Sequence, residues 1–130
     1  LRDEMEFTDS YLFLIKMRYG ANLTITTEIP ENFLSMELPP LTIQTLLENA
    51  VKHNEISNRK PLTISIQTNE NAELIVRNQI QSKLTQEEGT GIGLTNLSKQ
   101  FQILGERDIQ IIQENNEFIV RIPLIRPKNL

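Results

Sequence analysis

The run ENAVKH at 48–53 places Asn49, Lys52 and His53 within little more than one helical turn. An asparagine carbonyl is a neutral oxygen ligand, the kind a hard magnesium ion takes alongside water and substrate phosphates. Lys52 follows one turn later and can reach an anionic phosphate. A second run, GTGIGL at 89–94, sets Gly89, Gly91 and Gly93 directly before a helical pattern. Glycine lets the backbone come close to a ligand, and the first N–H groups of a helix are unpaired and point outward. Such an entry receives phosphate, with the helix dipole adding about 0.3–1 kcal/mol. The chemistry these residues suggest is the binding of a phosphorylated ligand together with a metal ion.

Each piece taken singly has a plainer use. Asn49 could be a satisfied buried amide. Lys52 and His53 could be a solvated helix end, where cations suit the helix C-terminus. The glycines could mark an ordinary loop. Nor is GTGIGL one of the two commoner phosphate loops: it is not G-x-G-x-x-G after a strand, and it lacks the Lys-Ser/Thr ending of a P-loop. The two runs in this order and at this separation are far more specific than either alone.

Elements must hold these residues in place. Around Asn49, residues 41–54 repeat Leu41, Ile43, Leu46, Leu47, Ala50 and Val51 mostly at three- and four-residue steps, the mark of a helix with one buried face. Pro40 suits its first turn, where a missing N–H costs little. Residues 1–19 read as a helix whose stripe of Met5, Leu12, Ile15 and Tyr19 is widened by Tyr11, Phe13 and Leu14, with Gly20 ending it. Alternation marks strands at 23–29, 62–68, 74–80, 109–113 and 118–124. Asn69, Glu70 and Asn71 supply turn chemistry between two of them, the asparagines tolerating the left-handed region. Residues 30–39 and 55–61 read as connections, 81–90 as a mobile loop, and 92–104 as a helix closed by Gly105. The expected architecture is α/β: a two-layer sandwich with a mixed, mainly antiparallel five-stranded sheet and helices on one face.

Composition narrows the function. With 130 residues the chain can bury a core, and 38% hydrophobic with 23% charged residues describes a folded domain. A net charge of −4 argues against nucleic acid, whose binders usually carry a basic patch. The absence of cysteine excludes disulfides and thiolate metal sites. No apolar run approaches the roughly 18 residues of a membrane span, and the acidic start LRDEMEFTDS is no signal peptide. Beginning at Leu1 rather than Met, the chain reads as a fragment of something longer, with any membrane anchor elsewhere.

The sequence resembles a known family. ENAVKH at 48–53 is similar to the N-box, and GTGIGLTNL at 89–97 to the second glycine box, of sensor histidine kinases, whose ATP-binding catalytic domain (HATPase_c) has the GHKL or Bergerat fold. PPLTIQTLLENAVKHN, with a lead-in helix ending IKMRYG, most resembles the LytS-like class of two-component kinases, and the resemblance spans essentially the whole chain. It implies that Asn49 coordinates Mg²⁺ bridging the phosphates of ATP, with Lys52 and His53 contacting phosphate. Gly91 and Gly93 would form the lid hinge and cradle, with Gly89 also binding the cofactor and the backbone N–H groups of Ile92, Gly93 and Leu94 facing phosphate, and residues 81–90 would be the ATP lid, with Lys83 a further contact. Residues 1–20 would link to an upstream dimerisation and phosphoacceptor domain, and 21–130 would be the ATP-binding domain. The γ-phosphoryl group would pass to a histidine on that upstream domain and then to a response regulator, in a homodimeric protein whose cytoplasmic part this is. His53, the one histidine in the sequence, lies within the nucleotide site and is no phosphoacceptor, so this fragment should not phosphorylate itself.

Two positions depart from the pattern. The family's Asp-x-Gly-x-Gly box, whose Asp accepts a hydrogen bond from adenine, aligns with Asn78-Gln79-Ile80-Gln81-Ser82. Asn78 can still accept that bond, at about half the strength of a charged acceptor. ATPases of this fold place a general-base Glu where this chain has Thr45, and Glu48 projects about 100° from Asn49 on the helix, so little hydrolysis is expected. That also disfavours an ATPase or topoisomerase-type domain. The alternative reading is a degenerate interaction module of the same fold that has lost nucleotide.

Overall fold

The computed structural model describes residues 2–38, 41–81, 99 and 109–125. In chain order these form α1 (Arg2–Tyr19), β1 (Leu23–Glu28), α2 (Thr42–His53), β2 (Leu62–Thr68), β3 (Glu73–Gln79), β4 (Gln110–Glu114) and β5 (Glu117–Pro123). The five strands make one sheet in the order β1-β2-β3-β5-β4. β1 and β2 run parallel, and the other neighbours are antiparallel. A parallel pair needs a crossover, and α2 supplies it. The sheet is therefore mixed and mainly antiparallel, as the strand patterns predict. The helix expected at 92–104 lies outside the described residues.

Alternation fixes which face of the sheet is covered. Leu62, Ile64 and Ile66 of β2, Leu74 and Val76 of β3, and Val120 and Ile122 of β5 are buried against Ile43, Leu46, Leu47 and Ala50 of α2 in one cluster. Fully burying such a side chain is worth roughly 1.5–3 kcal/mol. A one-residue slip would turn a whole set to solvent, so the register is strongly specified. Thr63, Gln67, Arg77 and Arg121, at intervening positions, are exposed. Two layers result, with α1 and α2 on the same side.

Several local expectations need correction. Leu41 is not part of the buried face of α2. It is the N-cap residue, with φ 65°, and is 44% exposed. On α1, Ile15 is buried and Met5, Tyr11, Leu12 and Tyr19 pack on the core, but Phe13 and Leu14 do not widen that stripe. With Phe7 and Met17 they make a second apolar face, 59–72% exposed, on the far side of the helix. Gly20 does end α1 with a positive φ of 56°, passing into a 3-10 turn at Gly20–Asn22. The connection after β1 is more than a loop. It holds a 3-10 turn at Glu31–Phe33, and Glu37 pairs with Ile125.

In the β2–β3 turn the left-handed residue is Ala72, not an asparagine. Asn69 contributes its side chain instead: Oδ1 accepts from the N–H groups of Asn71 and Glu73, each at 3.0 Å, an Asx turn. The β4–β5 turn does use two left-handed asparagines, Asn115 and Asn116, which suits the twist of a tight hairpin.

Candidate functional site

α2 carries the first candidates. Its buried residues are Thr42, Ile43, Leu46, Leu47 and Ala50. Asn49 lies at the edge of that face and is half-buried, and its side chain makes no hydrogen bond among the described residues. An amide left free at the margin of a core is what an oxygen ligand requires. Lys52, one turn on, is exposed and forms no ion pair among the described residues. His53 closes the helix, half-buried and engaged in an interaction of its own, so it is not a free cation. Thr45 is half-buried. Glu48 is exposed, and its Oε1 accepts from Gln44 Nε2 at 3.0 Å. Its charge reaches Tyr11 on α1, whose hydroxyl pKa is pushed up to about 12, first by burial, then by Glu48 and Tyr19.

Asn78 stands on the helix-covered face of β3, opposite Ile64 on β2 and Phe118 on β5, and is 4% exposed. Its Nδ2 donates to the carbonyl of Gln79 at 2.8 Å. Only the NH₂ end can face that carbonyl, so Oδ1 is the end left over, and it accepts no hydrogen bond among the described residues. A carboxylate could not make the contact to Gln79. Asparagine at 78 and the local backbone path are thus matched to one another.

A clamp anchored on a buried residue joins these two pieces. Asn54, just past α2 and 6% exposed, donates from Nδ2 to Ala50 O at 2.8 Å and accepts at Oδ1 from Gln81 N at 2.7 Å. Glu55 N donates to Gln81 O at 2.6 Å. Gln81 Nε2 donates to Glu55 O at 2.9 Å and Lys60 O at 3.1 Å. The clamp brings the Lys52–His53 end of α2 and the Asn78 end of β3 to the same end of the sheet. Residue 81, read from sequence as the start of a mobile loop, is held by four hydrogen bonds. Sequence reasoning missed both Asn54 and Gln81, since a polar pair 27 residues apart has no periodicity to reveal it. Lys83, Gly89, Gly91, Ile92, Gly93 and Leu94 lie outside the described residues.

The donor set fits a magnesium-bound nucleotide. It offers one neutral oxygen ligand in Asn49, a cation in Lys52 that has no ion pair among the described residues, and a buried neutral acceptor in Asn78. No group of three or more His, Asp or Glu that could hold a metal unaided occurs among the described residues. Magnesium commonly relies on one or two protein ligands plus phosphates and water. The open groove of about 370 Å³ lined by Glu28, Ile29, Pro30, Gln67 and Thr68 is at the opposite end of the sheet and shares none of these residues.

No family model matches the chain. Sensor protein LytS of Oceanobacillus iheyensis is 27% identical over 145 residues, covering 98% of this chain and 25% of that protein. Sensor protein LytS of Staphylococcus haemolyticus is 30% identical over 115 residues, covering 77% of this chain and 20% of that protein. Among solved structures, the catalytic domain of histidine kinase ThkA in a nucleotide-free form superposes with a TM-score of 0.54 at 21% identity, over 90% of this chain and 89% of that one. Histidine kinase ThkA in complex with response regulator protein TrrA gives 0.52 at 19% identity, over 90% of this chain and 39% of that one. At such identities the structures establish the fold. The chain spans a quarter or less of the length of these curated relatives.

Proposed function

Since the chain belongs to the LytS-like sensor histidine kinases and has the fold of a histidine kinase catalytic domain, we propose that it binds ATP with Mg²⁺ and presents the γ-phosphoryl group to a histidine on another domain of the same protein. The observation that carries this is Asn49: a half-buried amide without a hydrogen bond among the described residues, one turn before an exposed Lys52. Asn49 would ligate the metal, which neutralises phosphate charge during transfer. Lys52 would attract and orient the phosphates, and the glycine run at 89–94 would cradle them. Asn78 would accept from the adenine amino group through Oδ1. Catalysis of this kind is mostly positioning and charge stabilisation. With Thr45 where a general base would stand, water is not activated, which favours transfer over hydrolysis.

The partners follow from the same reading. Residues 1–20 would join the catalytic domain to an upstream dimerisation and phosphoacceptor domain, and the exposed apolar face of α1 supports a helical neighbour there. A response regulator would take the phosphoryl group from that histidine. The assembly would be a homodimer, with this part cytoplasmic and any membrane anchor elsewhere in the protein. No helix among the described residues is long and apolar enough to cross a membrane. A second reading, a degenerate interaction module, draws support from the adenine box, where Asn78 stands in place of the Asp and neither glycine is present.

Isothermal titration with ATP, with and without Mg²⁺, decides between them. The proposal expects Mg²⁺-dependent binding that Asn49→Ala weakens tenfold or more, about 1.4 kcal/mol, with an unchanged melting temperature. No heat at millimolar ATP would favour the interaction module.

A further inference from the structure

The N-terminus of α2 is capped from another helix. Its N-cap residue is Leu41, which has no side-chain acceptor and sits in the left-handed region at φ 65° and ψ 16°. The first N–H groups of a helix need acceptors from outside it. Here they come from Glu4 of α1. Its Oε2 accepts from Leu41 N at 3.2 Å and its Oε1 from Ile43 N at 3.0 Å. One carboxylate thus uses both oxygens on the positive end of α2, an arrangement favoured by charge-assisted hydrogen bonding and by the helix dipole. The backbone carbonyl of Glu4 accepts from the hydroxyl of the fully buried Thr8 at 2.7 Å, a bond within α1. Further along, Ile15 of α1 is buried in the same cluster as Ile43, Leu46 and Leu47 of α2.

We infer that Glu4 is a positioning residue that ties α2, and with it Asn49, to the placement of α1. Asn49 stands seven residues into α2, about 10 Å along a stiff helix, so a displacement of the first turn is carried to it. Glu4 touches no nucleotide. It couples α1 to the nucleotide helix, and through that coupling the placement of α1 sets affinity for the Mg²⁺–nucleotide complex. Coupling is reciprocal, so nucleotide must in turn quiet α1. The nucleotide half of this inference rests on the proposed function; the link between the helices does not.

The test uses the 130-residue chain as wild type, as Glu4→Gln, and as Glu4→Gln with Leu41→Asn. Leu41→Asn gives α2 a local cap, and asparagine tolerates a positive φ. Amide hydrogen exchange is followed over α1 and α2, with and without Mg²⁺–ATP, beside titrations of affinity. Glu4→Gln should speed exchange at Leu41 and Ile43, weaken Mg²⁺–ATP roughly fivefold or more, and abolish protection of α1 by nucleotide. The double variant should regain protection in α2 while its α1 stays loosened and its affinity stays low.

If the local cap restores affinity and α1 protection too, Glu4 merely stabilises α2 and the inference is overturned. Unchanged exchange in Glu4→Gln also overturns it. If wild type ignores Mg²⁺–ATP, the proposed function fails instead. Exchange then decides alone: an α1 that stays loosened beside a recovered α2 supports the link, and an α1 that recovers overturns it.

Discussion

The two ends of α2 are fastened by opposite means. At its C-terminal end a buried, neutral amide, Asn54, uses both ends of its side chain at 2.8 and 2.7 Å, and Gln81 adds three further bonds. At its N-terminal end a charged, partly exposed carboxylate reaches in from α1 at 3.2 and 3.0 Å. The bond from Asn54 to Ala50 is buried, and a buried bond is costly to break because the partner left behind is cut off from water. The Glu4 contact to Leu41 is exposed and the one to Ile43 partly buried, and charged contacts of this kind are more readily replaced by water and screened by salt. The end of α2 that meets β3 is therefore fixed, and the end that meets α1 is adjustable. For a domain proposed to receive direction through α1, that asymmetry puts rigidity at Asn78 and compliance at the incoming helix.

The sharpest way to break the comparison is Asn54→Ala. It strands the N–H of Gln81 and frees a carbonyl on α2, so we expect a loss of about 2–4 kcal/mol in urea unfolding, with rapid amide exchange at Gln81. Glu4→Gln should cost clearly less in the same experiment. Equal costs would mean that the two fastenings do not differ in kind.

Asn78→Asp comes next in size. It restores the residue type of the family's adenine box, yet sets a buried carboxylate against the carbonyl of Gln79, where an amide now donates at 2.8 Å. The expected cost is about 1–3 kcal/mol at neutral pH. It should shrink as pH falls, because a protonated carboxyl regains a donor. Unfolding curves at neutral and mildly acidic pH would show this. A variant as stable as wild type at neutral pH would mean that the contact to Gln79 does not hold residue 78 in place.

The fold was far more legible than the fastenings. Leu62, Ile64 and Ile66 announced their strand because burial on one face of a sheet repeats every second residue. Ile43, Leu46, Leu47 and Ala50 announced α2 in the same way at helical spacing. Leu41 misled because hydrophobicity says nothing about the backbone angle at a helix entry. Phe13 and Leu14 misled because apolar residues on both faces of α1 look like one broad face when no neighbour is known. Glu4, Asn54 and Gln81 left no trace, since a polar contact across 27 to 39 residues depends on how elements pack and not on any local pattern. Of the candidate site, the residue types at Asn49, Lys52 and Asn78 were readable, whereas the clamp that gathers them was not.

The smallest effect lies between the two ends of α2, where the charge of Glu48 acts on Tyr11. The Tyr11 hydroxyl is raised from 10.0 to about 12, by burial first and by Glu48 second. The unfolded chain therefore ionises first. Between about pH 10 and 12 the native state holds a proton that the unfolded state has lost, so stability falls as pH rises. This contribution is fully present below pH 10 and is lost on the way to pH 12. Tyr11→Phe should flatten that alkaline loss, seen as a melting temperature that declines less steeply than in wild type over the same interval. Glu48→Gln should flatten it less, because burial remains the larger cause. If Glu48→Gln flattened it as much as Tyr11→Phe, charge across the α1–α2 contact would outweigh burial there, and the middle of the helix pair would resemble its adjustable end.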